Sequence, residues 1–217
     1  MGMSLQHGSD RTRAASGVCF VVLFIGGVIP LGELLGSFGD PDATFDAYFA
    51  SAGNRVGNIV GGALLGASAF VFLWFLQRLR RSLQPDDTGP VALPDVMYAS
   101  GLVFVTLLLV GTAALVTVPI ALTFGAAFGD TGVLATGQAV LPQLGYVVIA
   151  LYSLWAAGVM VAAATVSARR SGSFPRWLCR LGFAAVALLF LLGATGGLAF
   201  VALPAWVLAV SVHGLRQ

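Results

Sequence analysis

Residues 56–83 have the sequence VGNIVGGALLGASAFVFLWFLQRLRRSL, an apolar run that ends in aromatic residues and arginines. A hydrocarbon core about 30 Å thick needs about 20 apolar residues at a helical rise of about 1.5 Å each. Trp74 and Phe75 then fall at interfacial depth, and Arg78, Arg80 and Arg81 follow them directly. The stretch therefore predicts a helix that crosses a lipid bilayer.

The rest of the chain has the same character. Of its 217 residues, 58% are hydrophobic and 9% are charged, and the mean hydropathy is +0.94. Soluble domains carry about 25% charged residues, so a soluble chain of this composition would have too little polar surface. Apolar stretches of spanning length recur, which predicts an all-α fold, a polytopic transmembrane helix bundle.

We predict a flexible cytoplasmic tail, residues 1–16, followed by a transmembrane helical domain, residues 17–217. Six spans are expected, at about residues 17–37, 56–77, 95–122, 138–167, 179–194 and 198–215. In the alternative with five spans, the last two form one long segment that is tilted or re-entrant. No convincing repeat is seen between the two halves of the sequence.

The distribution of charge predicts the orientation. In a six-span arrangement, one side carries Arg11, Arg13, Arg78–Arg81, Arg169–Arg180 and Arg216, whereas the other carries Asp40, Asp42, Asp46 and Asp130 with Arg55. The positive-inside rule then places both termini in the cytoplasm. All eleven basic residues are arginine, which indicates a GC-rich bacterial genome, and we expect a multi-pass protein of the bacterial plasma (inner) membrane. The net charge of +2 is too small to indicate nucleic acid as a partner.

Glu33 is the carboxylate that lies within a predicted span. An ionisable group inside the membrane is a functional hypothesis by default, so Glu33, with Asn58 and Arg55, is a candidate site for an ion or a proton. The structural alternative is that Glu33 lies near the outer end of its helix, where it reaches the headgroups or pairs with Arg55.

Residues 42–55 predict a short amphipathic helix before the second span. Phe45, Tyr48 and Phe49 fall on one stripe of it, and we interpret them as an interfacial lid. Two placements are open at this point: along the membrane surface, or as a plug packed over the mouth of the bundle.

Motifs for enzymatic chemistry are not found in the sequence. His7 and His213 belong to no HExxH motif, Cys19 and Cys179 form no CxxC pair, and neither a G-x-S-x-G elbow nor a P-loop is present. We therefore predict no catalytic residue, no metal site and no cofactor, and the sequence argues against an enzyme. GxxxG pairs occur at Gly32/Gly36, Gly57/Gly61 and Gly62/Gly66, which permit close helix packing.

Four stretches carry a family resemblance: the segment from Asp42 to Arg55, FVFLWFLQRLRRSL at the end of the second span, GSFPRWLCRLGF at the start of the fifth, and LPAWVLAVSVHGL near the C-terminus. Together they resemble uncharacterised multi-spanning membrane proteins of actinobacteria, close to the DUF4386-like group. The resemblance implies a compact six-helix protein of the plasma membrane and brings no catalytic residue with it.

The sequence leads to three hypotheses for the function of the protein. The first is a non-enzymatic accessory or regulatory subunit whose partners are the lipid bilayer and another membrane protein or a second copy of itself. The second is a small transporter or channel that uses Glu33. The third is a lipid-modifying enzyme at the outer face, built on Asp42, Asp46 and Glu33.

Overall fold

A computed structural model describes residues 15–31, 45–83, 93–128, 140–191 and 197–215, and this part of the chain is all-α, without strands. The helices are α1 (Ala15–Leu31), α2 (Phe45–Ala50), α3 (Ala52–Leu83), α4 (Leu93–Phe128), α5 (Val140–Ser171), α6 (Arg176–Leu191) and α7 (Gly197–Leu215). Within α5, Val148–Ser153 forms a π-helical turn. By length and composition, α3, α4 and α5 are long and apolar enough to cross a membrane.

Local sequence accounts for several helix ends. At the end of α5, Gly172 has a φ of 70°, the left-handed conformation that glycine adopts without steric cost, and the N–H of Ser173 donates to the carbonyl of Ala168. At the start of α4, Asp95 accepts a hydrogen bond of 2.5 Å from the Nη2 of Arg80 in the last turn of α3. This ion pair connects the two helices at their consecutive ends.

Pairs of helices cross at glycines. A Cβ atom on Gly61 of α3 would lie 2.8 Å from the carbonyl oxygen of Gly27 in α1, and the reverse distance is also 2.8 Å. In the same way, a Cβ on Gly145 of α5 would lie 2.6 Å from the carbonyl oxygen of Gly111 in α4. At each crossing the two backbones touch, which only residues without a side chain allow.

These two crossings belong to an internal repeat. Gly111 follows Gly27 in the chain by the same number of residues as Gly145 follows Gly61, and this number is the displacement of the repeat. The segments GVCFVVLFIGGVIPL (17–31) and GLVFVTLLLVGTAAL (101–115) are aligned by that displacement. They are identical at the positions of Gly17, Phe20, Val21, Leu23, Gly27 and Leu31. They also share buried positions: Gly17, Phe20, Val21, Phe24, Gly27 and Leu31 in α1, and Gly101, Phe104, Val105, Leu108, Gly111 and Leu115 in α4.

The second helices of the two pairs repeat as well, with one interruption. Asn58, Gly61 and Leu65 of α3 correspond at the same displacement to the buried residues Pro142, Gly145 and Ile149 of α5. After the π-helical turn the displacement is one residue greater. There, Ser68, Ala69, Phe72, Phe75, Leu76, Leu79 and Leu83 correspond to Ser153, Leu154, Ala157, Met160, Val161, Ala164 and Ala168, all of them buried. The π-helical turn thus accommodates one extra residue without rotating the rest of the helix.

The last two helices, α6 and α7, also pack on each other and bury residues at the same spacing. The buried residues Leu178, Cys179, Gly182, Ala185 and Leu189 of α6 have the spacing of Phe104, Val105, Leu108, Gly111 and Leu115. In α7, Leu203, Pro204, Val207, Val210, Ser211 and Gly214 have the spacing of Ser68, Ala69, Phe72, Phe75, Leu76 and Leu79. The bundle is therefore built from three helix pairs, and the repeat is not one between two halves.

The three pairs close into a ring. A Cβ on Gly101 of α4 would meet the side chain of Leu76 in α3, and one on Gly182 of α6 would meet Thr165 in α5. The ring is completed where a Cβ on Gly17 of α1 would meet the hydroxyl of Ser211 in α7. Each pair thus packs its first helix on the second helix of another pair.

Candidate functional site

Three of the predicted site and lid residues, Tyr48, Arg55 and Asn58, meet where α2 joins α3. Phe49 of α2 is buried in the hydrophobic core, and Tyr48 beside it is half-buried. An apolar side chain of α2 is thus inserted into the bundle, and both placements of this segment, along the membrane surface and as a plug, stay predictions. Glu33, Asp42 and the side chains of Phe45 and Asp46 lie outside the described residues.

Arg55 holds the C-terminal end of α2. Its Nη1 donates to the carbonyl oxygen of Phe49 at 2.6 Å and to that of Ala50 at 3.1 Å. The last carbonyls of a helix lack the partner that the next turn would provide, and a cation near them also interacts favourably with the helix dipole. The hydrogen bonds that the structure shows for the Arg55 side chain go to the backbone of α2, and pairing of Arg55 with Glu33, which lies outside the described residues, stays a prediction.

Asn58 is fully buried and lies about one helical turn after Arg55 in α3. Its Nδ2 donates to the hydroxyl of Tyr48 at 2.9 Å and to the carbonyl oxygen of Asn54 at 2.7 Å. Its Oδ1 is buried without a hydrogen-bond partner among the described residues. A buried carbonyl oxygen left in this way costs about 1–3 kcal/mol, so this atom offers an acceptor to a water molecule, an ion or a donor group.

Replacing Arg55 with alanine is expected to loosen α2 without unfolding the bundle. Two charge-assisted hydrogen bonds to the end of α2 would be lost, at a cost of about 1.5–3 kcal/mol for each such bond. We expect amide hydrogen exchange in α2 to accelerate while exchange in α4 and α5 stays unchanged. The matched control is Arg81→Ala, since Arg81 is exposed and no hydrogen bond of its side chain is seen in the described structure. Equal exchange in α2 for both variants would contradict the capping role.

A small apolar cavity of about 10 Å³, room for about one water molecule, lies between the helices of the bundle. Repeat-related residues line it, with Leu31 and Leu115 from the first helices of two pairs and Leu65 and Ile149 from the second helices. Val28, Phe200 and the ring of Tyr146 complete the lining. The three helix pairs thus meet in packed hydrocarbon.

A larger cavity lies at the end of the bundle where α5 turns into α6. Its volume is about 560 Å³, and Arg169, Arg176 and Arg180 are among the residues that line it. In the sequence, these arginines predict the orientation of the chain but do not by themselves indicate a cavity. The signal for one was present, since two clusters of arginine flank the helix-breaking sequence GSFP.

A second cavity, of about 240 Å³, lies on the other side of the same turn. His213 and Ser82 line it together with Phe174, and the rings of Phe174 and His213 are 6.3 Å apart in an edge-to-face arrangement. Within the described residues, no group of three or more histidine, cysteine, aspartate or glutamate side chains is placed to hold a metal ion.

Several other polar side chains of the bundle form hydrogen bonds with helix backbones, whereas the buried polar atoms of Thr112, Thr165 and Trp206 have no hydrogen-bond partner among the described residues. Thr106 and Thr117 donate to carbonyls of their own helix, those of Leu102 and Ala113. Ser153 donates across the α4–α5 interface to the carbonyl oxygen of Phe104 at 3.4 Å. That bond fixes the π-helical turn against α4.

Comparison with known protein families, with functionally described proteins and with solved structures finds no match to this chain. The resemblance to the DUF4386-like group therefore stays a prediction.

Proposed function

We propose that the chain is a multi-pass protein of the bacterial plasma membrane and acts as a non-enzymatic accessory or regulatory subunit, through contacts with other membrane proteins. The repeat supports six spans, because α1 and α6 correspond to the long helix α4, and α7 corresponds to α3 and α5. The outward faces of the shorter helices are apolar: Val22 and Ile29 of α1 and Val201 of α7 are exposed. The arginine-rich ends then face the cytoplasm.

The observation that carries this function is the apolar lining, within the described residues, of the small cavity where the helix pairs meet. In a transporter of helical repeats, the substrate site lies at the interface of the repeats near the middle of the membrane. Among the described residues, Leu31, Leu65, Leu115 and Ile149 line that interface with apolar side chains. The outward faces of the helices therefore remain available for contacts with other membrane proteins.

One outward face has the pattern of a helix–helix contact. Along α4, β-branched residues and small residues alternate with the spacing of a heptad, and all of them are exposed: Val96, Ala99, Val103, Thr106, Val110 and Ala113. Small residues at such positions allow a neighbouring helix to approach closely in the membrane. We take this face of α4 as the contact surface for the partner.

Purification of the tagged protein from native membranes in a mild detergent, followed by mass spectrometry, tests the proposal. We expect a stoichiometric membrane partner with the wild type, and its loss with Ala113→Trp, which places a large side chain on the α4 face. The control is Ala205→Trp, since Ala205 is exposed on α7. A second, differently tagged copy shows whether the partner is the chain itself. A monodisperse wild type that brings no partner contradicts the proposal.

A second candidate is a small transporter or channel, and the buried Oδ1 of Asn58 favours it. In this alternative, Glu33 binds a proton or a cation together with Asn58 and Arg55, beneath α2. Glu33→Gln would abolish pH-dependent flux in liposomes while the protein remains folded. Flux that is the same in the wild type and in Glu33→Gln contradicts this alternative.

A further inference from the structure

The cavity of about 560 Å³ between the end of α5 and the start of α6 combines positive charge with aromatic surface. Arg169 lies in the last turn of α5, and Arg176 and Arg180 lie in the first two turns of α6. Phe174 and Phe183 line the same cavity. Gly172, in the left-handed conformation, and the residues after it form a tight turn between the two antiparallel helices. This turn brings the lining residues together.

The guanidinium groups of the cavity are not neutralised by the described part of the protein. Arg169, Arg176 and Arg180 are exposed, and none of them forms an ion pair or a side-chain hydrogen bond with a described residue. Arg80, at the end of α3, shows the contrast, because it pairs with Asp95 and lies 4.9 Å from the centre of the Tyr98 ring. The cavity therefore presents three positive charges to whatever enters it.

The position of the cavity along the helices indicates the rest of the ligand. Trp177 is exposed next to Arg176, and tryptophan in a membrane protein marks the level of the lipid headgroups. Phe183, about two turns after Arg176 in α6, is also exposed and lines the cavity. A ligand that fills this cavity has an anionic group at the level of Arg176 and an apolar part beside Phe183.

We infer that this cavity binds the phosphate of an anionic phospholipid, with the three arginines around the phosphate oxygens and an acyl chain against Phe183. Guanidinium groups bind phosphate through paired hydrogen bonds, and basic pockets between helices at this level of a membrane bind anionic headgroups. The N-terminus of α6, with its positive dipole end at Arg176, adds to the same potential. The inference uses the membrane placement proposed above and is independent of the accessory role.

Binding can be measured on the full-length protein in detergent micelles by native mass spectrometry and by titration with phosphatidylglycerol. We expect phosphatidylglycerol to bind and phosphatidylcholine, which has no net charge, to bind far more weakly. In the double variant Arg176→Ala/Arg180→Ala the dissociation constant should rise about thirtyfold, given the contribution of each arginine to attraction at an anionic surface.

The control is the double variant Arg78→Ala/Arg81→Ala, which removes the same charge from the same end of the bundle, outside the cavity. Equal loss of affinity in both double variants would overturn the site, because the attraction would then depend on total charge alone. Inorganic phosphate that competes with phosphatidylglycerol at similar concentrations would assign the cavity to a soluble anion and overturn the lipid inference. Since the assay uses purified protein, a missing partner protein does not affect its result.

Discussion

Gly61→Ala is expected to lower the free energy of unfolding by about 2 kcal/mol or more, although alanine normally stabilises a helix relative to glycine. The new Cβ would lie 2.8 Å from the carbonyl oxygen of Gly27. The obstacle is backbone, so no side-chain rotation relieves it and α1 must move away from α3. Gly145→Ala is expected to have an effect of similar size, because its Cβ would lie 2.6 Å from the carbonyl oxygen of Gly111.

The measurement is the temperature at which the detergent-solubilised protein loses its monodisperse peak. Gly66→Ala is the matched control, since Gly66 lies on the same helix as Gly61 and a Cβ there would meet nothing within 4 Å. It should be neutral or stabilising by up to about 1 kcal/mol, the difference in helix propensity. If Gly61→Ala proved as stable as Gly66→Ala, the backbone contact between α1 and α3 would be disproved.

Deletion of a single residue is expected to have opposite outcomes in α5 and in α3. Removing Leu151 takes one residue out of the π-helical turn, so that α5 becomes regular and keeps the buried face that it shares with α3. Tyr152 would then occupy the position that Ala67 has in α3, where both residues are exposed. This variant should fold, with the α4–α5 interface preserved.

Removing Ala67 from α3 should prevent folding. Each residue of a helix turns it by about 100°, so the later part of α3 would be rotated and most of its buried residues would leave the buried face. Phe72 and Phe75, which are fully buried, would be among them, and native proteins are stable by only about 5–15 kcal/mol. Expression and size-exclusion profiles of the two deletion variants provide the comparison. Similar profiles for both would show that the extra residue in α5 is not accommodated by the π-helical turn.

The sequence predicted the all-α bundle because hydropathy reports directly on burial in lipid. It did not reveal the repeat, since apolar side chains replace one another freely on helices in a membrane and only contact residues keep their identity. The predicted GxxxG pairs illustrate this: Gly61 makes a backbone contact, whereas Gly66, at the second position of another pair, touches nothing. The partner of Gly61 is Gly27, which is in none of the predicted pairs.

The candidate site was predictable in part, for a similar reason. Asn58 and Arg55 stand out as polar residues beside an apolar run, and the structure places both at the junction of α2 with α3. Their partners were not predictable, because backbone carbonyls of α2 leave no trace in the sequence. The arginines near α6 were used for orientation, and only the turn at Gly172 shows that they face one cavity.

The contact of Gly17 with Ser211 has a consequence for the order of the helices along the chain. It places the start of α1 beside the end of α7, so the two termini of the bundle are neighbours in space. A short linker can therefore join them, and new termini can be opened between α3 and α4, at residues 84–92. The three pairs would then follow one another in a different order while every helix contact is kept, and a circularly permuted chain of this kind should assemble into the same bundle.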